Sequence, residues 1–293
     1  MKKIDYITGE TKEVKIEEIG SASTGANAPK IVLVDGVKGY YKKSRNNRTF
    51  DSFEYLISIL GKMLNIKVTD TYIFEDGSIF SKSVIEENEE LIMYMDLLKY
   101  VSVSEEEIYE VKSFNNKLEK IKLNGSSTGY IINDFNDIDY AINIFIRIIK
   151  KLNLNNEEEV IKDYIRMCFL DCLTGNKDRT GGNFGLKKTP KGFEFAALFD
   201  NSTISYPNVP DNLVGINMYY FDRKILMQYI IKNYPHYVED IMSIDFNKVR
   251  NDMNKLSGNI LDNQEKNWFD NSVTDNILKA LADGVFSTGV KQK

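Results

Sequence analysis

Two hairpin signals flank one amphipathic helix in the first eighty-five residues, and helical periodicity then takes over for most of the remaining 293-residue chain. The first hairpin is expected from residues 31–34 and 40–43 about Asp35-Gly36, a dipeptide suited to positive φ at a tight turn. The second joins residues 68–74 to 78–84 through Glu75-Asp76-Gly77. Between them Phe53, Leu56, Ile57, Leu60 and Leu64 recur at helical spacing over residues 51–64. Further helices are expected near 88–98, 104–113, 136–152, 157–173, 222–233, 245–256 and 273–284, with a strand over 193–200 after the Pro190–Gly192 turn. A strand-rich portion followed by a helical one argues an α+β fold that switches near residues 83–90, and ligand sites favour such junctions.

Composition narrows the function classes. A hydrophobic content of 42% is enough for a real core, in one large domain or two modest lobes. A net charge of −5 leaves no footprint for general nucleic-acid binding. No apolar run reaches the roughly 18–20 residues of a membrane span. The basic start lacks an apolar stretch behind it, so no signal peptide is expected. Cys168 and Cys172 sit four apart in an apolar helical run and read as core thiols of a reducing compartment, which points to a cytoplasmic protein. His236 is the only histidine, which removes His-dependent triads and most zinc sites. Chemistry is left to carboxylates, lysines and a bound metal.

The stretch from Leu173 to Gly185, LTGNKDRTGGNFG, supplies such groups. Gly175 should stop the preceding apolar helix. Asp178 and Asn183 stand five apart, with Gly181 and Gly182 between them to let the backbone turn back. Asp200 closes the apolar run that follows, in Leu198-Phe-Asp-Asn201. Phosphoryl transfer with a metal-bound nucleotide uses a carboxylate near the attacking hydroxyl, an amide oxygen on the metal and a second carboxylate on the metal. The plain alternative is a polar surface hairpin, since Asn, Asp and Gly favour turns for steric reasons. A calcium loop starting at Asn176 fails, because its twelfth position is Lys187 instead of a bidentate glutamate.

Upstream features complete a kinase-like order. Residues 20–30 are almost wholly small, and such a loop can present backbone N–H groups to phosphate, with Ser21, Ser23 and Thr24 adding hydroxyls. Neither a Walker nor a Rossmann glycine pattern occurs there. Lys42 and Lys43 end a strand, and only one of two consecutive strand residues can face a cleft. Glu54 borders the apolar stripe of the next helix, where it can pair with that lysine.

With these residues in place the chain resembles the HipA-like branch of the protein-kinase-like superfamily, related to phosphatidylinositol kinases. Gly175-Asn176-Lys-Asp178-Arg179 with Asn183 is similar to the family's catalytic loop, and Leu198-Phe-Asp200-Asn201 to its metal motif. Gly25-Ala-Asn-Ala-Pro-Lys30 resembles its phosphate loop, and residues 78–92 resemble the segment that links the lobes. The resemblance implies a bilobal protein-kinase-like fold, with a strand-rich N-lobe over 1–85 and a mostly helical C-lobe over 86–293. It implies ATP and Mg²⁺ as cofactors. Asp178 would be the catalytic carboxylate, Asn183 and Asp200 the metal ligands, and Lys42 or Lys43, partnered by Glu54, the phosphate contact. Ser23, Thr24, Gly25 and Ala26 would hold phosphate, and backbone near Ser83 and Val84 would meet adenine. It further implies phosphorylation of Ser/Thr in a protein, autophosphorylation at Ser23 or Thr24, and a possible small regulatory partner protein. Thr180 stands where the lipid-kinase pattern has His, so no role passes to it. A lipid or small-molecule kinase, and a nucleotide-binding pseudokinase, are the alternatives.

Overall fold

The computed structural model describes residues 1–21, 29–43, 51–123, 127–201 and 209–286, with the side chain of Asp51 left out. Five strands lead into the first helix: β1 (Lys2–Ile4), β2 (Thr11–Glu13), β3 (Ile16–Ser21), β4 (Lys30–Val34) and β5 (Val37–Lys42), then α1 (Asp51–Met63). β6 (Thr71–Phe74) and β7 (Ile79–Lys82) complete one antiparallel sheet of order β2-β1-β6-β7-β5-β4-β3. Asp35 and Gly36 both take positive φ, 49° and 82°, so the β4–β5 turn matches the strand twist as its sequence requires.

The chain then crosses to β8 (Glu90–Met93) and α2 (Tyr94–Leu97), followed by α3 (Glu105–Lys117), β9 (Glu119–Lys122), β10 (Thr128–Ile132), α4 (Phe135–Lys151) and α5 (Glu157–Thr174). β11 (Gly185–Thr189) and β12 (Gly192–Phe195) join β8 in a three-stranded sheet. β13 (Leu213–Ile216) and β14 (Tyr219–Asp222) join β10 and β9 in a four-stranded one. α6 (Arg223–Asn233), α7 (Pro235–Met242), α8 (Phe246–Ile260), α9 (Asn263–Phe269), a π-helical stretch Asp270–Leu278 and α10 (Lys279–Ala282) close the molecule. The architecture is α+β, with an antiparallel N-lobe sheet and a mostly helical C-lobe. No helix among the described residues is long and apolar enough to cross a membrane.

α5 lies at the centre, with every residue from Tyr164 to Thr174 buried. Its two thiols are fully buried, and burial pushes both well above the usual cysteine pKa, so they are packing groups. α1 is also enclosed: Phe53 stacks 5.9 Å from Phe269 and lies 5.1 Å from Trp268, so the first helix is held by the last ones. Arg166 of α5 reaches back to the Asn65 carbonyl and also binds Tyr237 O and Asp240, tying the turn after α1 to α5 and α7.

Two expectations are corrected. Residues 88–98 do not form one helix, because Glu90–Met93 pairs as β8 with β11, Ile92 opposite Leu186. Ion pairs Glu89–Lys187 and Glu90–Lys188 line that pairing, and a partner strand far along the chain overrides a locally helical composition. The strand expected over 193–200 ends at Phe195, and only a single bridge, Leu198 to Val68, continues it. That bridge turns the chain toward the N-lobe, where Thr69 donates its N–H to Leu198 O.

Gly175 ends α5 at φ 62°, and a Cβ there would lie 3.0 Å from Arg223 Nη1. Arg223 itself caps the helix, donating to Cys172 O, Leu173 O and Ser272 O. Gly175→Ala should therefore lower stability by about 1–2 kcal/mol from the left-handed conformation alone, read as a lower denaturant midpoint with an unchanged slope.

Candidate active site

The site begins at the end of β5. Lys42 faces inward and Lys43 is exposed, as strand alternation demands. Lys42 Nζ donates to Glu54 Oε2 at 2.7 Å and to Asp200 Oδ1 at 2.9 Å. Glu54, in the first turn of α1, is 1% exposed and accepts a second bond from Ser81 Oγ of β7 at 2.8 Å. Its carboxylate is thus held from two strands. Burial by itself would push the Lys42 ammonium down, but the Glu54 and Asp200 carboxylates outweigh it and raise its pKa above the ordinary lysine value. Lys42 is a fixed cation at any working pH.

The loop after α5 is shaped by its own polar groups. Asn176 Nδ2 donates to Asp171 Oδ1, and Asn176 Oδ1 receives the Asp178 N–H at 2.9 Å. The Asp178 carbonyl accepts from Thr180 N and from Asn183 Nδ2, the latter at 2.6 Å. With its amide nitrogen bound there, Asn183 has its side-chain oxygen as the atom suited to a cation. Asp178 is partly buried next to Tyr220, whose hydroxyl is pushed up to about 12 by burial and then by the Asp178 charge.

One buried side chain joins the Asp178 loop to the Asp200 loop. Arg179, fully buried, makes a bidentate pair with Asp171 through Nε and Nη2, both at 2.9 Å. Its Nη1 donates to Asn183 O and Phe199 O, both at 3.1 Å, and Nη2 also donates to Asn201 Oδ1 at 2.7 Å. The guanidinium therefore holds the backbone of Asn183 and both neighbours of Asp200. Asp200 takes φ 47°, a left-handed conformation that aspartate tolerates better than most side chains.

Further ties fix the Asp178 loop from beneath. Asn176 O and Arg179 O accept from Gly215 N and Asn217 N of β13 and its turn. Lys177, 5% exposed, donates to Val209 O and Asp211 Oδ1, so it grips the chain where it returns after residue 201.

Among the described residues no group of three or more His, Cys, Asp or Glu is arranged to hold a metal. The oxygens offered for a cation are one carboxylate, Asp200, and one amide oxygen, Asn183, on two loops that Arg179 ties together through Asn183 O and Phe199 O. Such a sparse oxygen set fits Mg²⁺, which takes its remaining ligands from phosphate and water. It does not fit a zinc site.

Of the sequence-derived candidates, Lys42, Glu54 and Asp200 meet through ion pairs, and Asp178 and Asn183 meet through a hydrogen bond. Lys43 lies outside that cluster. Ser83 starts the crossing between the two sheets, donating its N–H to Lys38 O and its hydroxyl to Ile85 O, and Val84 follows it. Ser23, Thr24, Gly25 and Ala26 lie outside the described residues, as does the tail from 287 onward. Sequence reasoning gave no role to Asp171, nor to Arg179, Asn201 and Ser81, although these three stand inside the segments that carry the resemblance. Asp171 carried a signal, being a lone acid inside an otherwise apolar helical run, which predicts a buried partner.

Comparison with protein-family models finds no match, and comparison with curated protein sequences finds none either. Solved structures do match. The chain is similar to the proinflammatory kinase CtkA of Helicobacter pylori, with a TM-score of 0.58 and 16% identity over 94% of this chain and 97% of that one. It is also similar to HipA of Shewanella oneidensis MR-1, solved with HipB and operator DNA, with a TM-score of 0.51 and 12% identity. That match covers 92% of this chain and 66% of the HipA chain. The fold is therefore the one shared by HipA and CtkA.

Proposed function

We propose that the protein is an ATP- and Mg²⁺-dependent kinase that transfers the γ-phosphoryl group to a serine or threonine hydroxyl of a protein. The observation that carries this reading is the bridging of Lys42 to Glu54 and Asp200, set against the Asp178–Asn183 loop by Arg179, in the fold of two kinases. Asp178 accepts or orients the hydroxyl proton of the acceptor, the new P–O bond forms on that oxygen, and the bond to the ADP leaving oxygen breaks. Lys42 holds the α/β-phosphates, and Glu54 keeps its ammonium in place. Asn183 and Asp200 would hold Mg²⁺, which neutralises phosphate charge when bound. The crossing at Ser83 and Val84 offers backbone to adenine. Lys43 takes no part. HipA, with its partner HipB, suggests that a small regulatory partner is also worth seeking here.

Incubation with γ-labelled ATP and Mg²⁺, followed by phosphosite mapping, tests the assignment. Label is expected on the protein itself, at Ser23 or Thr24, and on added protein substrate. Label on lipid alone would make it a lipid kinase, and nucleotide binding without transfer would make it a pseudokinase.

Glu54→Gln should weaken ATP binding about tenfold, the equivalent of ~1.4 kcal/mol, because Lys42 then swings toward Asp200. In the wild type, ATP affinity should stay flat from pH 7 to about pH 9, since the carboxylates raise Lys42 above an already high lysine pKa. Titration calorimetry across that range checks both. A tenfold loss of affinity by pH 9 in the wild type would contradict the ion-pair assignment.

A further inference from the structure

A seam of buried hydroxyls lies beneath the helix that carries Glu54. Glu54 and Ser58 stand four apart on α1, so they share one face, and both are buried. Thr69 and Thr71 at the start of β6 and Ser81 on β7 are buried against them. Ser58 Oγ donates to Thr69 O and Thr69 Oγ1 to Lys82 O, both at 2.7 Å. Apolar packing is non-directional, whereas hydrogen bonds fix how a helix is turned about its own axis.

The direction of each bond at the Glu54 end follows from the groups involved. A carboxylate paired with an ammonium only accepts. The Ser81 hydroxyl proton therefore lies on Glu54 Oε1, 2.8 Å away. Ser81 Oγ in turn accepts from Thr71 Oγ1, its partner across the β6–β7 pairing, at 3.4 Å. The backbone there is close-packed, since a Cβ on Gly39 of β5 would collide with Ser81 O and the Phe80 ring. A relay of side chains thus runs from Thr71 through Ser81, Glu54 and Lys42 to Asp200. It crosses three strands, α1 and the Asp200 loop.

The relay divides the Glu54 carboxylate between two donors. Oε1 takes the Ser81 hydroxyl and Oε2 the Lys42 ammonium. Of the three ammonium protons, one then lies toward Glu54 and one toward Asp200, and the third is left for a phosphate oxygen. A buried acceptor left without its donor is costly. With the Ser81 hydroxyl removed, Lys42, already on Oε2, is the charged donor at hand for Oε1, and the third proton is drawn there.

We infer that Ser81, backed by Thr71, is a positioning residue for nucleotide phosphate: it occupies Glu54 Oε1 so that Lys42 keeps a proton for the ligand. The identity of that ligand rests on the kinase reading. The role itself is exerted through Glu54 and Lys42, without contact to substrate.

Titration calorimetry on the full chain, with the ATP analogue AMP-PNP plus Mg²⁺ and separately with adenosine, tests this role. Ser81→Ala should weaken AMP-PNP about fivefold and leave adenosine within about twofold, because phosphate is what meets Lys42. The KM for ATP should rise by the same factor, with a much smaller change in kcat. Ser81→Cys, close in volume but weaker as a donor, should fall between wild type and Ser81→Ala. Thr71→Val, which leaves Ser81 its own bond to Glu54, should cost about twofold.

Wild-type AMP-PNP affinity in Ser81→Ala overturns the inference. So does an equal loss of AMP-PNP and adenosine, the mark of a loosened lobe. Full affinity in Ser81→Cys overturns it as well, since the hydroxyl would then only fill space. Should Ser81→Ala fail to fold, Ser81→Cys and Thr71→Val decide by the same comparison. Phosphate transfer by the wild type with no defect in Ser81→Ala keeps the kinase reading and sinks this one. Ser81-dependent AMP-PNP binding without any transfer sinks the kinase reading and leaves the role of Ser81 standing.

Discussion

Replacing Asp178 by asparagine is expected to cut phosphoryl transfer by about 10²–10⁴-fold while the loop keeps its shape. The contacts that shape this loop run through the Asp178 backbone, its N–H to Asn176 Oδ1 and its carbonyl to Asn183 Nδ2 and Thr180 N. An isosteric amide leaves these intact and removes the proton acceptor. ATP binding should persist, because Lys42 and Glu54 are untouched. Asp200→Asn should fall as far in transfer but by a different route, through weaker metal binding, so that raised Mg²⁺ recovers part of its rate and none of the Asp178→Asn rate. Initial-rate measurements over Mg²⁺ concentration separate the two. Wild-type activity in both variants would leave the assignment without support.

Arg179→Met is expected to produce the largest loss of stability of any single change in the site, about 3–5 kcal/mol. The reason is electrostatic. Asp171 is 1% exposed, and its carboxylate is held by the Arg179 fork and the Asn176 amide. Removing the guanidinium leaves a buried carboxylate with one neutral donor, and orphans the Asn183 and Phe199 carbonyls. Burial alone would push the Arg179 guanidinium down, but the Asp171 charge outweighs it and the pKa is raised, so deprotonation offers no escape. The double variant Arg179→Met/Asp171→Leu should recover more than half of the loss, since an apolar pair of similar volume carries no unpaired charge. Urea denaturation of the four proteins in this cycle gives the coupling directly. A double variant no more stable than Arg179→Met would show that the carbonyl contacts, not the ion pair, dominate.

The legible and illegible parts of the fold divide along contact range. Helices near 104–113, 136–152 and 157–173 are found at Glu105–Lys117, Phe135–Lys151 and Glu157–Thr174 because local signals set them: the Ser104–Glu107 capping box for the first, a repeating apolar face behind Asp134 for the second, and a long apolar run stopped at Gly175 for the third. The β4–β5 hairpin is equally local, written in Asp35-Gly36. β8 was hidden, since Glu90–Met93 becomes a strand only when β11 arrives beside it. The four-stranded sheet was hidden for the same reason: β10 pairs in parallel with β14, a contact between residues about ninety positions apart. The short strand ending at Phe195 reflects the crossing of Leu198 to Val68, which no local pattern encodes.

By itself the sequence determined which chemical groups are available: one histidine, two core thiols, a lysine at a strand end, a glutamate on the next helix, and Asp178, Asn183 and Asp200 on two turns. Residue type and spacing suffice for that, because turn formation and helix faces are short-range matters. Only the tertiary structure decided that Lys42 and not Lys43 enters the cluster, since the choice depends on which face of β5 looks toward α1. It also decided that Arg179, a motif position whose role its sequence neighbours do not reveal, sets the two loops against each other. A guanidinium buried beside Asp171 has nowhere else to place its donors than on the carbonyls of Asn183 and Phe199 and the Asn201 amide, and those lie in range only after the chain has folded.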